Sequence, residues 1–146
     1  MRDQVLDRVE FSVEVGKIAE LARATCATDP VHLDDHAARG AGFSALAATP
    51  TYVVVAGHYR DQAAMVTALG LDLQRVMVGS VRWTYARPLV AHDHLVGTRR
   101  VVSDEPRPSR DGSLLRLVTL ETEYVDQVGT TVAWVREVII ERGKRA

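Results

Sequence analysis

From residue 76 onward the chain alternates apolar and polar positions in long runs. Residues 76–86, 94–105, 113–126 and 130–141 each predict a strand with one buried face. Pro88 and Asp93 mark one connection, Pro106 to Gly112 a polar turn, and Gln127-Val128-Gly129 a hairpin loop. The first half reads differently. Residues 9–13 predict a short strand. Within 15–26, Ile18, Leu21, Ala22 and Thr25 recur at helical spacing, with Glu20 and Arg23 on the outside. Pro30 disfavours helix at Asp29 and stops that element. Asp34 or Asp35 then predicts the cap of a short helix through Arg39, ended by Gly40.

Residues 49–69 admit two readings. Thr51-Tyr52-Val53-Val54-Val55 has the β-branched content of a buried strand. Against that, Thr49-Pro50 is a good N-cap and first-turn pair, and Ala56, Tyr59, Ala63, Val66 and Leu69 continue at helical spacing to Gly70. This second reading predicts a helix of about 20 residues, apolar nearly all round and therefore buried. Helices first and hairpin-linked strands after give an α+β antiparallel sheet in one domain over residues 1–146.

Composition narrows the function classes. A chain of 146 residues can bury a real core, and 47% hydrophobic with 25% charged residues is ordinary for a soluble domain. A net charge of −1 gives no general pull toward nucleic acid or anionic membrane. No apolar run is long enough to span a bilayer. Asp3, Asp7 and Glu10 without an apolar block argue against a signal peptide. Cys26 is the sole cysteine, so an intrachain disulfide is impossible and a cytoplasmic location is expected. Cys26 resembles no catalytic cysteine motif and is expected as a small buried apolar side chain.

The stretch Thr25-Cys26-Ala27-Thr28-Asp29-Pro30-Val31-His32 resembles the signature Gly-Asp-x-Asn-Pro-x-His of the MaoC-like, R-specific enoyl-thioester hydratases and dehydratases. Cys26 stands at the Gly, Ala27 at the Asp, Asp29 at the Asn and His32 at the His. Downstream, Asp34 to Phe43 resembles the family's "D-x-x-A-A-x-x-x-G-[FY]" run. Ala47 to Tyr52 and Tyr85 to Leu95 resemble the "A-P-P-T-F" and "Y-x-R-P-[LV]-x-x-G-D-x-L" blocks of its FAS1-like dehydratase subgroup. The resemblance implies a hot-dog fold, a curved antiparallel sheet wrapped around a long central helix. It also implies a dimer, paired edge to edge with a copy of itself or with a related subunit. The implied ligand is a small acyl substrate, a thioester of CoA or acyl carrier protein or a free carboxylate, in a tunnel at the interface. No cofactor is implied.

The same comparison exposes a gap. The family divides proton transfer at C2 and water activation at C3 between Asp and His. Ala27 cannot move a proton. Asp29 is either the substitute carboxylate or the residue of an Asx turn before Pro30. His32 is either a ring facing substrate or a loop histidine bonded to backbone. Tyr52 and His58 are departures from the subgroup, which has Phe at the first position and usually no histidine at the second. Six residues part them, about 120° around a helix axis, so both can flank one tunnel. On that reading His58 is a base near neutral pH, Tyr52 a hydrogen-bond donor and His32 an assistant; otherwise both rings are structural.

Thr51 and Asp29 are candidates to touch substrate. Arg82, Arg87, Arg99 and Arg100 lie on or beside predicted strands, and any one can clamp a carboxylate or a phosphopantetheine phosphate. Salt bridges and solvated faces are the commoner use. Arg87 sits at the family's "R-P" corner, where a structural role comes first. His92-Asp93-His94 lacks a nearby third ligand, so no metal site is expected.

Three readings follow. The first is a lyase that adds an amine, such as an amino acid, across C2=C3 or eliminates it, using Tyr52 and His58. The second is an R-specific hydratase or dehydratase using His32 and Asp29. The third is a non-catalytic subunit that lends half a tunnel to a dyad-bearing partner.

Overall fold

The alternation after residue 76 becomes four long strands, and the N-terminal segment supplies a fifth. In the computed structural model, which describes residues 2–143, the strands are β1 Val5–Ser12, β2 Val76–Tyr85, β3 His94–Pro108, β4 Leu114–Val125 and β5 Thr131–Arg142. They form one antiparallel sheet in the order β1-β3-β4-β5-β2. Register shifts at Val78/Ser80 and Val101/Ser103 insert bulges that bend the sheet. Gly97 is required by packing. A Cβ there would stand 2.5 Å from Cε1 of Tyr124, so only glycine lets that ring lie across β3.

Helix α1 runs Val15–Ala24 and buries Ile18 and Ala22, the face the spacing predicts. Thr25 Oγ1 donates to the Leu21 carbonyl at 2.8 Å and closes its last turn. Cys26 then takes φ 55, the left-handed region that favours glycine, which is the residue the family signature carries there. Its side chain is exposed, not buried as expected, because that turn lies at the surface. Helix α2 runs Asp35–Gly40, with Asp34 Oδ1 accepting from the Ala37 N–H at 3.1 Å.

The long central helix does not form. Residues Tyr52–Tyr59 make a 3₁₀ segment, and α3 begins separately at Gln62–Ala68. Three successive valines and Gly57 disfavour α-helix. Arg60 is extended between the two pieces, with φ −102 and ψ 141, and Asp61 starts the second by accepting from Ala64 N–H at 2.9 Å. The break divides the core. Tyr52, Val53, Val55 and Ala56 pack on Phe11, Leu95 and Val132, while Leu69 and Leu71 join Val101, Val118, Leu120 and Ile139. The sheet therefore wraps two short helical pieces, and a space opens where they part.

Candidate functional site

Five residues stand directly opposite one another across the sheet: Asp7 on β1, Arg99 on β3, Thr122 on β4, Val135 on β5 and Trp83 on β2. With the 3₁₀ residues Val53, Val54, Ala56 and Gly57 above it, this row floors a groove of about 200 Å³. Asp7 is behind Arg99, outside the lining. The groove is graded. Trp83, on the edge strand, is 38% exposed, whereas Arg99 at the far end is 3% exposed.

The closed end is ionic. Arg99 Nε donates to Asp7 Oδ2 at 2.8 Å, and its Nη2 donates to the same oxygen. Arg60 Nη1 donates to Asp7 Oδ1, and its Nη2 donates to the Tyr124 hydroxyl at 3.3 Å. Arg99 Nη1 reaches Gln62 Oε1 at 3.4 Å. Both arginine side chains are 4% exposed, so two buried cations share one carboxylate. Burial raises the Tyr124 phenol above its ordinary value, against the pull of Arg60. Glu137 lines the groove as well, half-buried.

The residues singled out from sequence lie elsewhere. Tyr52 is fully buried, with its hydroxyl accepting from the Glu14 N–H at 3.4 Å; burial raises its pKa. His58 is exposed. Neither lines the groove, so the two rings do not flank one cleft. The segment that carries them turns as 3₁₀ rather than as the long α-helix expected from the spacing.

Asp29 Oδ1 accepts from the Val31 N–H at 3.1 Å, the Asx-type turn. His32 Nδ1 lies 2.8 Å from the Ala47 carbonyl. A carbonyl only accepts, so Nδ1 carries the proton and a neutral ring keeps Nε2 as its basic nitrogen. Thr51 is exposed at the start of the 3₁₀ segment. Arg87 forks onto Asp93 at 2.8 and 2.9 Å and reaches Asp126 at 3.1 Å, locking the turn between β2 and β3. It also borders a second cleft, of about 240 Å³, with Thr49 and Tyr85. The Tyr85 hydroxyl donates to the Pro50 carbonyl, and burial pushes its pKa up to about 12.

Near His92-Asp93-His94, the His94 ring bridges Ser12 Oγ at 3.1 Å and Glu10 at 2.7 Å. Among the described residues no group of three or more His, Cys, Asp or Glu is placed to hold a metal ion.

Sequence reasoning missed Arg60, Gln62, Tyr124 and Trp83. Arg99 was weighed, and one signal marked it out. It falls in phase with Leu95, Gly97 and Val101, the inward positions of β3.

A UPF0336 protein of Clavibacter michiganensis subsp. michiganensis is 38% identical over 136 residues, covering 89% of this chain and 85% of the relative. Among solved structures, the truncated HadBC (3R-hydroxyacyl-ACP dehydratase) complex of Mycobacterium tuberculosis superposes with a TM-score of 0.78 at 22% identity. That match covers 95% of this chain and 96% of the other. The ChsH1–ChsH2 complex of the same organism gives a TM-score of 0.76 at 18% identity, covering 97% and 86%. These likenesses establish the hot-dog fold. Residues 4–135 match the FAS1-like dehydratase domain region, and with the UPF0336 relatives this makes the chain a member of the FAS1-like dehydratase family.

Proposed function

We propose that the chain is the acyl-binding half of a hydro-lyase that interconverts 3-hydroxyacyl and enoyl thioesters. In this reading the groove under residues 53–57 holds the acyl chain. A related subunit, paired along the exposed β2 edge, supplies the carboxylate and imidazole that move protons. The observation that carries the proposal is the state of the signature loop. Ala27 stands at the carboxylate position, Asp29 Oδ1 is engaged in an Asx turn by the Val31 N–H, and His32, its Nδ1 on the Ala47 carbonyl, makes no hydrogen bond to Asp29 among the described residues. Half of an acid–base pair cannot complete an elimination that needs a base at C2 and an acid at the departing oxygen.

Two further points support it. Strand β2 leaves Met77, Val78 and Trp83 exposed, at 40%, 63% and 38%, on an edge that pairing would cover. Two of the similar structures are complexes, one of them a 3R-hydroxyacyl-ACP dehydratase. An amine-adding lyase run by Tyr52 and His58 has less support, because one ring is sealed in the core and the other lies outside the groove.

The test is hydration of a crotonyl thioester, followed by loss of enoyl absorbance. The purified chain alone should be inactive, and activity should appear when a dyad-bearing hot-dog subunit is added. Turnover by the chain alone would replace this reading with a self-sufficient enzyme. Mass spectrometry with and without added amino acids then separates water from amine addition.

A further inference from the structure

At the closed end of the groove two guanidiniums, Arg60 and Arg99, share the carboxylate of Asp7. Arg60 and Arg99 each carry five N–H donors. Asp7, Gln62 and the Tyr124 hydroxyl accept from both heads, and no buried nitrogen of either is left without a partner among the described residues, yet Asp7 is the one carboxylate that either touches. Glu137, the other charged group lining the groove, makes no ion pair with either guanidinium among the described residues. Burying two cations against one anion is an expensive way to build a core, since well-packed apolar side chains of similar volume commonly do as well or better. A surplus buried cation at the end of an apolar channel is instead what recognition of a second anion requires.

The channel's dimensions say what kind of anion. From the exposed Trp83 on β2 to Arg99 on β3 are three strand spacings, roughly 14 Å. Between them the floor is Val135 and Thr122, under Val53 and Ala56. A ligand entering at the β2 edge thus crosses a mainly apolar stretch, with Thr122 and Glu137 as its polar members, before its tip meets the guanidiniums. A bare phosphate would have no use for that stretch, and a plain alkyl chain would leave the two cations with Asp7 as their one paired carboxylate.

We infer that the groove selects an acyl group whose far end carries a carboxylate, an ω-carboxyacyl thioester. The thioester lies toward the edge strand, and the distal carboxylate lies on Arg99 and Arg60. This rests on the reading of the groove as an acyl channel and names the substrate class within it.

The test compares two neutral-headed probes, the N-acetylcysteamine thioesters of octanoic acid and of suberic acid (mono-thioester), binding to the full chain by calorimetry. The suberyl probe should bind about tenfold more tightly at low salt, and the advantage should shrink as salt is added. Arg99→Met should abolish the preference for the suberyl probe and its salt dependence. Should that variant misfold, Gln62→Glu is the second arm. Gln62 is exposed, so the fold tolerates the change, and the new carboxylate competes for Arg99 and should erase the preference. Equal binding of both probes by the wild-type chain would overturn the inference and leave the acyl channel standing. A suberyl preference untouched by these substitutions would overturn it equally. Binding of neither probe would sink both the inference and the channel.

Discussion

Arg99 and Asp7 face each other across β3 and β1, 92 residues apart in sequence, with Arg99 Nε donating to Asp7 Oδ2 at 2.8 Å. That one carboxylate also receives Arg60, from the break between the 3₁₀ segment and α3. It therefore fastens the roof of the groove to its floor. The carboxylate is a structural hub: it holds both guanidiniums in place and is shared between them.

Asp7→Ala should be among the most damaging single substitutions. It leaves two guanidiniums buried without their carboxylate, a change that costs about 3–5 kcal/mol in comparable pairs. Urea denaturation followed by circular dichroism measures it. A loss below about 1 kcal/mol would mean that water reaches both arginine heads, and that the groove is open at this end.

Tyr52→Phe and His58→Ala separate core from catalysis. The Tyr52 hydroxyl makes one long bond to the Glu14 N–H, so its removal should cost about 1 kcal/mol or less. His58 is exposed, and alanine there should change stability by under about 0.5 kcal/mol. Neither should alter octanoyl thioester binding by more than about twofold. A tenfold fall in the assembled enzyme's turnover for both would return these rings to the reaction and revive the amine-lyase reading.

Cys26→Gly should stabilise the chain. At φ 55 a non-glycine residue carries about 1–2 kcal/mol of steric cost, and glycine's larger unfolded-state entropy offsets part of the relief. A net gain of about 0.5–1 kcal/mol is expected, read as a rise in Tm of a few degrees. An unchanged or lower Tm would show that the cysteine side chain repays the backbone strain through contacts of its own.

Acid should weaken the fold through two aspartates. The Arg116 guanidinium holds Asp104 below its ordinary value of 3.8, and the Thr130 N–H does the same, with help from Arg87, for Asp126. A carboxyl depressed in the folded state contributes stability that is present above its unfolded pKa and lost as pH falls through its folded one. Wild-type stability should thus decline as pH drops below about 4. Asp126→Asn should be less stable than wild type at neutral pH, and the gap should close in strong acid. A gap that stays constant with pH would mean the aspartate acts by shape alone.

Much of the architecture was legible in local pattern. Alternation placed β2 to β5 within a few residues, because each strand shows one face to the core and a period of two survives in any single strand. Proline and aspartate punctuation placed α1 and α2 for the same reason: caps act within one turn. The Asx turn at Asp29 was one of two readings of a local motif. Arg99 was legible in part. Its inward phase on β3 was readable, its partner was not.

What local pattern missed was set by contacts between distant residues. Residues 49–69 satisfy helical spacing, yet Arg60 leaves the helix to reach Asp7 and Tyr124, and the element breaks there. The shared cleft expected for Tyr52 and His58 rested on that helix; in the 3₁₀ segment Tyr52 is buried and His58 exposed, and neither lines the groove.

The chain's own order of residues determined which segments become strands and helices, and that alanine, Ala27, stands where the resembled signature carries its aspartate, because those properties live within a few neighbouring positions. Tertiary structure alone decided that the central helix is broken, that Tyr52 lies in the core, and that two arginines from separate elements meet one aspartate at the end of a groove. Those outcomes are set by burial and long-range ion pairing, which depend on how the sheet closes over the helical pieces rather than on any local period.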